Sequence, residues 1–148
     1  MARVKIDYGI DLGTTNSAIA RMENGEVKII KSERQMDTTP SCVSFKKNSI
    51  SVGLDAYNRY GDEHLTAFKD FSLTGNKENE FNTFIEFKRT MGTDKTYPSK
   101  SANRSFNSDE LSAEVLKALK NYVRDEEITS VAITIPARFR SNQIDATQ

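Results

Sequence analysis

From Val4 onward the apolar side chains fall on alternate residues, Val4, Ile6, Tyr8 and Ile10, the period of a strand whose two faces meet different surroundings. The alternation stops at Gly13-Thr14-Thr15-Asn16 and resumes in two runs, Ser17 to Met22 and Glu26 to Lys31, separated by Asn24-Gly25. That dipeptide accepts the positive φ angles of a two-residue hairpin turn. The start of the chain is therefore committed to a three-stranded antiparallel meander with a short loop between its first two strands.

The rest alternates between strand and helix signals. Pro40 leads into an apolar run from Ser41 to Phe45, and after the polar turn at Lys46 to Asn48 a further short strand runs to Val52. Leu54 to Phe68 reads as a helix with Leu54, Tyr57, Leu65 and Phe68 available for one face, although Gly61 in its interior weakens it. Phe81, Phe84, Ile85, Lys88 and Met91 are spaced three, one, three and three apart, which on a helix places them on one face. The polar stretch Thr93 to Phe106 reads as a connection. Leu111, Val115, Leu119, Tyr122 and Val123 keep helical spacing behind Asn107, an N-cap with Glu110 as its capping-box partner. Ile128 to Ile135 returns to strand and Pro136 ends it. Ser141 or Asn142 is placed to cap one more helix, and because the chain stops within about two turns of that point, a truncated chain is expected. The whole reads as one α/β unit.

Composition removes several function classes. Lys+Arg and Asp+Glu both number 21, so there is no net field to draw this surface to nucleic acid or an anionic bilayer. Mean hydropathy is −0.61 and no run has the length of a membrane span. The N-terminal segment lacks the continuous apolar core of a secretory signal. The single cysteine, Cys42, makes no intramolecular disulfide, which fits a reducing cytoplasm, and no Cys/His cluster has metal-ligand spacing. Cys42 and His64 read as ordinary packing or surface residues.

The loop between the first two strands carries the chemistry. In Gly9-Ile10-Asp11-Leu12-Gly13-Thr14-Thr15-Asn16-Ser17, a glycine without a Cβ at position 13 lets backbone approach a phosphate closely. The following amides of Thr14, Thr15 and Asn16 are then placed to form an anion nest, with the threonine hydroxyls as further donors. Asp11 beside a phosphate is repulsive unless a divalent cation lies between them, and Mg²⁺, directly or through its waters, resolves the conflict. A hairpin turn capped by hydroxyls has the same sequence appearance, and G-x-D-x-G alone does not decide between the two.

Lys88 is the second anomaly. An ammonium on an apolar stripe calls for a snorkelling stem or for an anion at its tip, because removing it unpaired from water costs several kcal/mol. Arg89 points elsewhere and reads as a solvated charge, and Phe87 lies off the stripe.

GIDLGTTNSAIA, EVKIIKSERQMDTTPSCVSF, FKRTMG and VAITIPARF occur in this order along the chain. Together they resemble the 70-kilodalton heat-shock chaperones. That resemblance implies an actin-like ATPase, with a ribonuclease H-like core in each of two lobes, a mixed sheet flanked by helices, and ATP or ADP with Mg²⁺ bound in the cleft between the lobes. Residues 1–148 then form most of the first lobe, with the second phosphate loop, the adenosine pocket and the peptide-binding domain later in the chain.

The resemblance further implies roles. Lys88 contacts the γ-phosphate and helps place the attacking water, Thr14 hydrogen-bonds the γ-phosphate, Gly13 to Asn16 grip the phosphates, and Asp11 supports hydrated Mg²⁺. Pro136 matches a proline that couples nucleotide state to the peptide-binding half, although a proline that merely ends a strand looks the same. The implied partners are unfolded polypeptide, a J-domain co-chaperone and a nucleotide exchange factor. The chain departs from the pattern at Asn16 (usually tyrosine), Asp37 (usually arginine), Ile144 (usually the arginine that partners the proline) and in its short 93–106 connection. A sugar kinase of the same fold and a non-catalytic actin-like assembly or adaptor module remain as alternatives. Thr38-Thr39-Pro40-Ser41 and Lys88-Arg89 favour the chaperone over the kinase, and the presence of both Asp11 and Lys88 counts against a dead adaptor site.

Overall fold

The computed structural model describes residues 7–77, 79–136 and 138–148. In chain order these form β1 (Tyr8–Asp11), β2 (Asn16–Glu23), β3 (Glu26–Ile30), β4 (Thr39–Pro40), β5 (Cys42–Lys46), β6 (Ser49–Val52), α1 (Leu54–Thr74), β7 (Thr83–Ile85), a 3₁₀ turn (Phe87–Thr90), β8 (Thr96–Ser99), β9 (Arg104–Asn107), α2 (Ser108–Asn121), β10 (Ala132–Thr134) and α3 (Ser141–Asp145). The expected meander is present in its described part, while Val4 and Ile6 lie outside the described residues.

The central sheet runs β10-β1-β2-β3, with β4 pairing onto β2. β1 to β3 are antiparallel neighbours and β10 joins β1 in parallel, so the sheet is mixed. At the β2–β3 turn Asn24 and Gly25 both take positive φ, 52° and 84°, as their dipeptide signal requires. Tyr8, Ile10 and Ile19 point to the covered face and pack with Leu111, Val115 and Leu119 of α2 in one cluster. Each of those α2 residues is at most 1% exposed, and burial of such a side chain stabilises the fold by roughly 1.5–3 kcal/mol. α2 starts where expected: the Asn107 side chain accepts from the Glu110 amide at 2.8 Å while Glu110 accepts from the Asn107 amide at 3.0 Å. At the far end of β2, Arg21 ties the sheet to the segment after α2 through Asp125 and Glu126, and it also pairs with Glu23.

A second sheet, β6-β5-β7, stands beside the first, and here the sequence expectation for residues 81–91 fails. There is no helix: Thr83–Ile85 is a strand paired with Cys42–Ser44 of β5. Glu86 then takes a left-handed φ of 55° and turns the chain into the short 3₁₀ segment. Apolar spacing of three and one serves a buried strand followed by a tight turn as well as a helix, and the pairing with β5 decides. The 93–106 stretch also differs from expectation, since it carries the β8–β9 hairpin. Phe106 is held there by stacking on Phe45 at 3.9 Å between ring centroids.

α1 is longer than its apolar spacing indicated, ending at Thr74 with Gly75 in the left-handed conformation (φ 70°) as its cap. The apolar face expected for it is not buried: Tyr57, Leu65 and Phe68 are exposed, and Ala56 is the buried residue. On the opposite side Glu63 accepts from the backbone amides of Asn82 and Thr83, both at 3.1 Å, and from the Thr83 hydroxyl, so it pins α1 to β7. The last helix begins at Ser141 with Arg140 in the cap position, rather than the expected Ser141 or Asn142.

Candidate functional site

The turn from β1 to β2 is held shut by its own small residues. A Cβ on Gly13 would lie 1.9 Å from the Asn16 carbonyl oxygen, so only glycine permits this bend. The Gly13 amide donates to the Ser17 hydroxyl at 3.2 Å. Ser17 and Ser41 hydroxyls lie 2.8 Å apart, and Ser41 donates to the Gly13 carbonyl at 2.8 Å. The Ser41 amide donates to the Thr15 carbonyl at 2.8 Å. Ser17 and Ser41 are both buried, so these bonds are made away from competing water. Strand β4 adds pairing of Thr39 with Ser17 and Pro40 with Asn16. The Thr-Thr-Pro-Ser segment is thus the clamp that holds the loop, a role its sequence did not disclose.

Thr14 is half-buried, and Thr15 and Asn16 are exposed. Asp11, at the open end of β1, is exposed and accepts from the Thr134 hydroxyl of β10 at 2.7 Å. β10 runs parallel beside β1 with Asp11 opposite Thr134, which fixes the carboxylate's place. Among the described residues no group of three or more His, Cys, Asp or Glu side chains is placed to hold a metal ion. The donor set fits a cation that keeps its waters, with Asp11 as an outer partner, better than one bound by a protein cage.

Lys88 is 5% exposed. It sits in the 3₁₀ turn between Phe87 and Met91, each 1% exposed. Its ammonium donates to the Leu12 carbonyl, one residue before Gly13. The Phe139 ring lies 5.4 Å away, centroid to Nζ. Burial lowers the Lys88 pKa below its ordinary value, with the Asp11 carboxylate partly opposing. Arg89 is exposed and pairs with Glu86 at 3.3 Å. So Asp11 and the Gly13 loop, from one stretch of chain, meet Lys88 from another.

Two contacts that sequence reasoning missed complete the surroundings. The Phe139 amide donates to the Pro136 carbonyl at 3.0 Å, a turn that joins exposed Pro136 to the ring beside Lys88. Asn142 donates to the Gly92 carbonyl at 2.7 Å, and a Cβ on Gly92, whose φ is 70°, would lie 2.9 Å from the Asn142 carbonyl oxygen. This docks α3 on the segment that follows Lys88. Neither contact has a local signal, because each partner is separated from the other by tens of residues or by an irregular turn.

Several concavities lie elsewhere. One of about 490 Å³ is bounded by α1 residues Tyr60 and His64 and by Phe81, Phe84 and Tyr97. His64 lies between the Tyr60 and Phe81 rings, 4.0 and 4.5 Å from their centroids, a packing role. No helix among the described residues is long and apolar enough to cross a membrane.

The family model described as Hsp70 protein matches residues 7–148. Over 147 residues the chain is 37% identical to the chaperone protein DnaK of Mesomycoplasma hyopneumoniae strain J, covering 97% of this chain and 21% of that protein. It is 35% identical over 151 residues to the chaperone protein DnaK of Mycoplasma mobile, covering 100% of this chain and 22% of the relative. For the chaperone protein DnaK of Mycoplasmopsis agalactiae the figures are 34% over 147 residues, 97% and 21%. The chain thus spans about a fifth of the length of these relatives.

Proposed function

The chain belongs to the Hsp70 family, and on that premise we propose that it forms one wall of an ATP site in a molecular chaperone. In this reading residues 1–148 are most of the first lobe of the ATPase domain. The full-length protein couples ATP hydrolysis to binding and release of unfolded polypeptide in the cytoplasm, assisted by a J-domain co-chaperone and a nucleotide exchange factor. Family membership favours this over the sugar-kinase and adaptor alternatives.

Each residue has a role that follows from its chemistry. The Gly13 to Asn16 backbone binds the β- and γ-phosphates of ATP, and the Thr14 hydroxyl donates to the γ-phosphate. Lys88 supplies a positive charge whose attraction grows with the exclusion of water, and it holds the attacking water in line with the phosphorus. Asp11, steadied by Thr134, accepts from the hydration shell of Mg²⁺. Mg²⁺ when bound neutralises charge on the phosphate oxygens. Pro136 and Phe139 link the Lys88 environment to the end of β10, the route by which nucleotide state is passed to the peptide-binding half, with Ile144 replacing the usual arginine partner.

What supports this reading above all is the Lys88 ammonium, dry, aimed at the loop and met among the described residues by the Leu12 carbonyl, the Phe139 ring and the charge of nearby Asp11. A terminal phosphate supplies the missing counter-charge. Replacing Lys88 with alanine in the full-length protein is expected to lower single-turnover ATP hydrolysis by about a hundredfold while nucleotide affinity changes little. Unchanged turnover refutes the assignment.

A further inference from the structure

α1 carries a feature that its own fold does not need. Gly61 lies in the interior of this 21-residue helix, and a methyl group added to it would meet nothing within 4 Å. A glycine there costs about 1 kcal/mol relative to alanine. Bare backbone at that point has a physical use if something from outside comes close.

The surroundings of Gly61 describe what that is. Tyr57, Leu65 and Phe68 share its face and are 50%, 53% and 67% exposed. On one flank of the face stand Asp62 and Lys69, two turns apart and both exposed. Among the described residues neither has an ion-pair partner.

We propose that α1 pairs antiparallel with α1 of a second copy of this chain, about a two-fold axis at Leu65. Positions equidistant from the axis, to within one residue, then meet. Leu65 packs on the partner's Leu65, Phe68 enters the notch left by the partner's Gly61, and Asp62 faces the partner's Lys69. Symmetry makes each of the last two contacts twice. A parallel pair would put this flank on opposite sides of the seam in the two copies, leaving Asp62 and Lys69 without each other, so only the antiparallel arrangement joins the two charges. α1 is about 31 Å long, and one helix face of that length buries less than a standard interface, so the dimer is weak and concentration-dependent.

The test is sedimentation velocity on the chain over a wide concentration range, with circular dichroism to confirm that each variant is folded. The parent is expected to show a reversible monomer–dimer equilibrium. Asp62→Lys and Lys69→Asp each weaken it about tenfold, and the two together restore it to within about threefold of the parent. Gly61→Ala raises the thermal midpoint of the monomer and weakens the dimer about tenfold, because its methyl group fills the notch. A chain that stays monomeric throughout, leaving this face to another kind of partner, overturns the proposal. So does a dimer indifferent to Gly61→Ala, or a charge exchange that does not restore association.

Discussion

The Lys88 ammonium donates to the carbonyl of Leu12, so a cation from the segment after β7 is fastened directly to the turn that follows β1. The contact joins two stretches 76 residues apart in sequence, and it is made in a setting dry enough to work against the charge it carries. Measurable consequences follow from that conflict and from the loop it serves.

Because burial lowers the folded-state pKa of Lys88 below the ordinary 10.5, the folded chain gives up this proton at lower pH than the unfolded chain. Between the lowered value and 10.5 the unfolded state binds more protons, so stability rises with pH across that window. Lys88→Met removes the effect. Urea unfolding is expected to show the variant at least as stable as the parent near neutrality, with the parent gaining on it as pH approaches 10.5. A parent that loses stability relative to the variant over that range contradicts the desolvation argument.

Gly13 and Ser41 hold one loop by different means. Gly13→Ala forces a Cβ into the Asn16 carbonyl and is expected to destabilise the chain by about 2–4 kcal/mol. Ser17→Ala and Ser41→Ala each break the buried hydroxyl pair at about 1–2 kcal/mol. The double variant is expected to cost less than the two singles together, by about 1 kcal/mol. Chemical denaturation measures all four proteins, and strict additivity would show that the two hydroxyls act separately.

Cys42 is fully buried in β5, and its thiol is pushed up to about 12 by burial, with the Glu63 carboxylate adding to the shift. The reactive thiolate is therefore scarce as well as sheltered. At pH 8 a disulfide reagent such as Ellman's is expected to leave the folded chain unmodified and to react once per chain on unfolding in denaturant. Rapid reaction in native buffer rules out this packing around Cys42.

The 148-residue chain presents one wall of the proposed cleft, so ATP bound to it stays largely in water. Calorimetry is expected to give an affinity weaker than micromolar, with negligible hydrolysis. Micromolar binding by this chain alone contradicts the one-wall reading.

Much of this arrangement was legible in the residues. Alternation announced β1 and β2, Asn24-Gly25 announced their hairpin with β3, and Asn107 with Glu110 announced the start of α2. These are short-range devices, in which the side chains that define the element lie within a few residues of one another. The resemblance carried by four ordered motifs agrees with the family match over residues 7–148. It also implies roles for Asp11, Gly13 and Lys88.

The errors lie where the deciding partner is remote. Phe81 to Met91 carries spacing compatible with a helix, yet Thr83–Ile85 lies beside Cys42–Ser44 and gains a ladder of hydrogen bonds that no local helix competes with. The 93–106 segment looked like a connection until Phe106 found Phe45. The spacing of Tyr57, Leu65 and Phe68 gives α1 an apolar face, and only the packing shows that it turns outward, because Glu63 docks the helix by its other side. The sequence by itself determined the short periodic elements and the glycine-bearing turn, since each is a property of neighbouring residues, whereas the helical stripe expected to carry Lys88 does not form and its burial comes from the tertiary packing. Only the tertiary structure decided that Ser41 clamps the turn, that Thr134 orients Asp11 and that Lys88 is directed to Leu12. Such contacts are selected when the chain closes long loops to bury a shared core, and that choice is made by the whole surface being buried, not by any single segment.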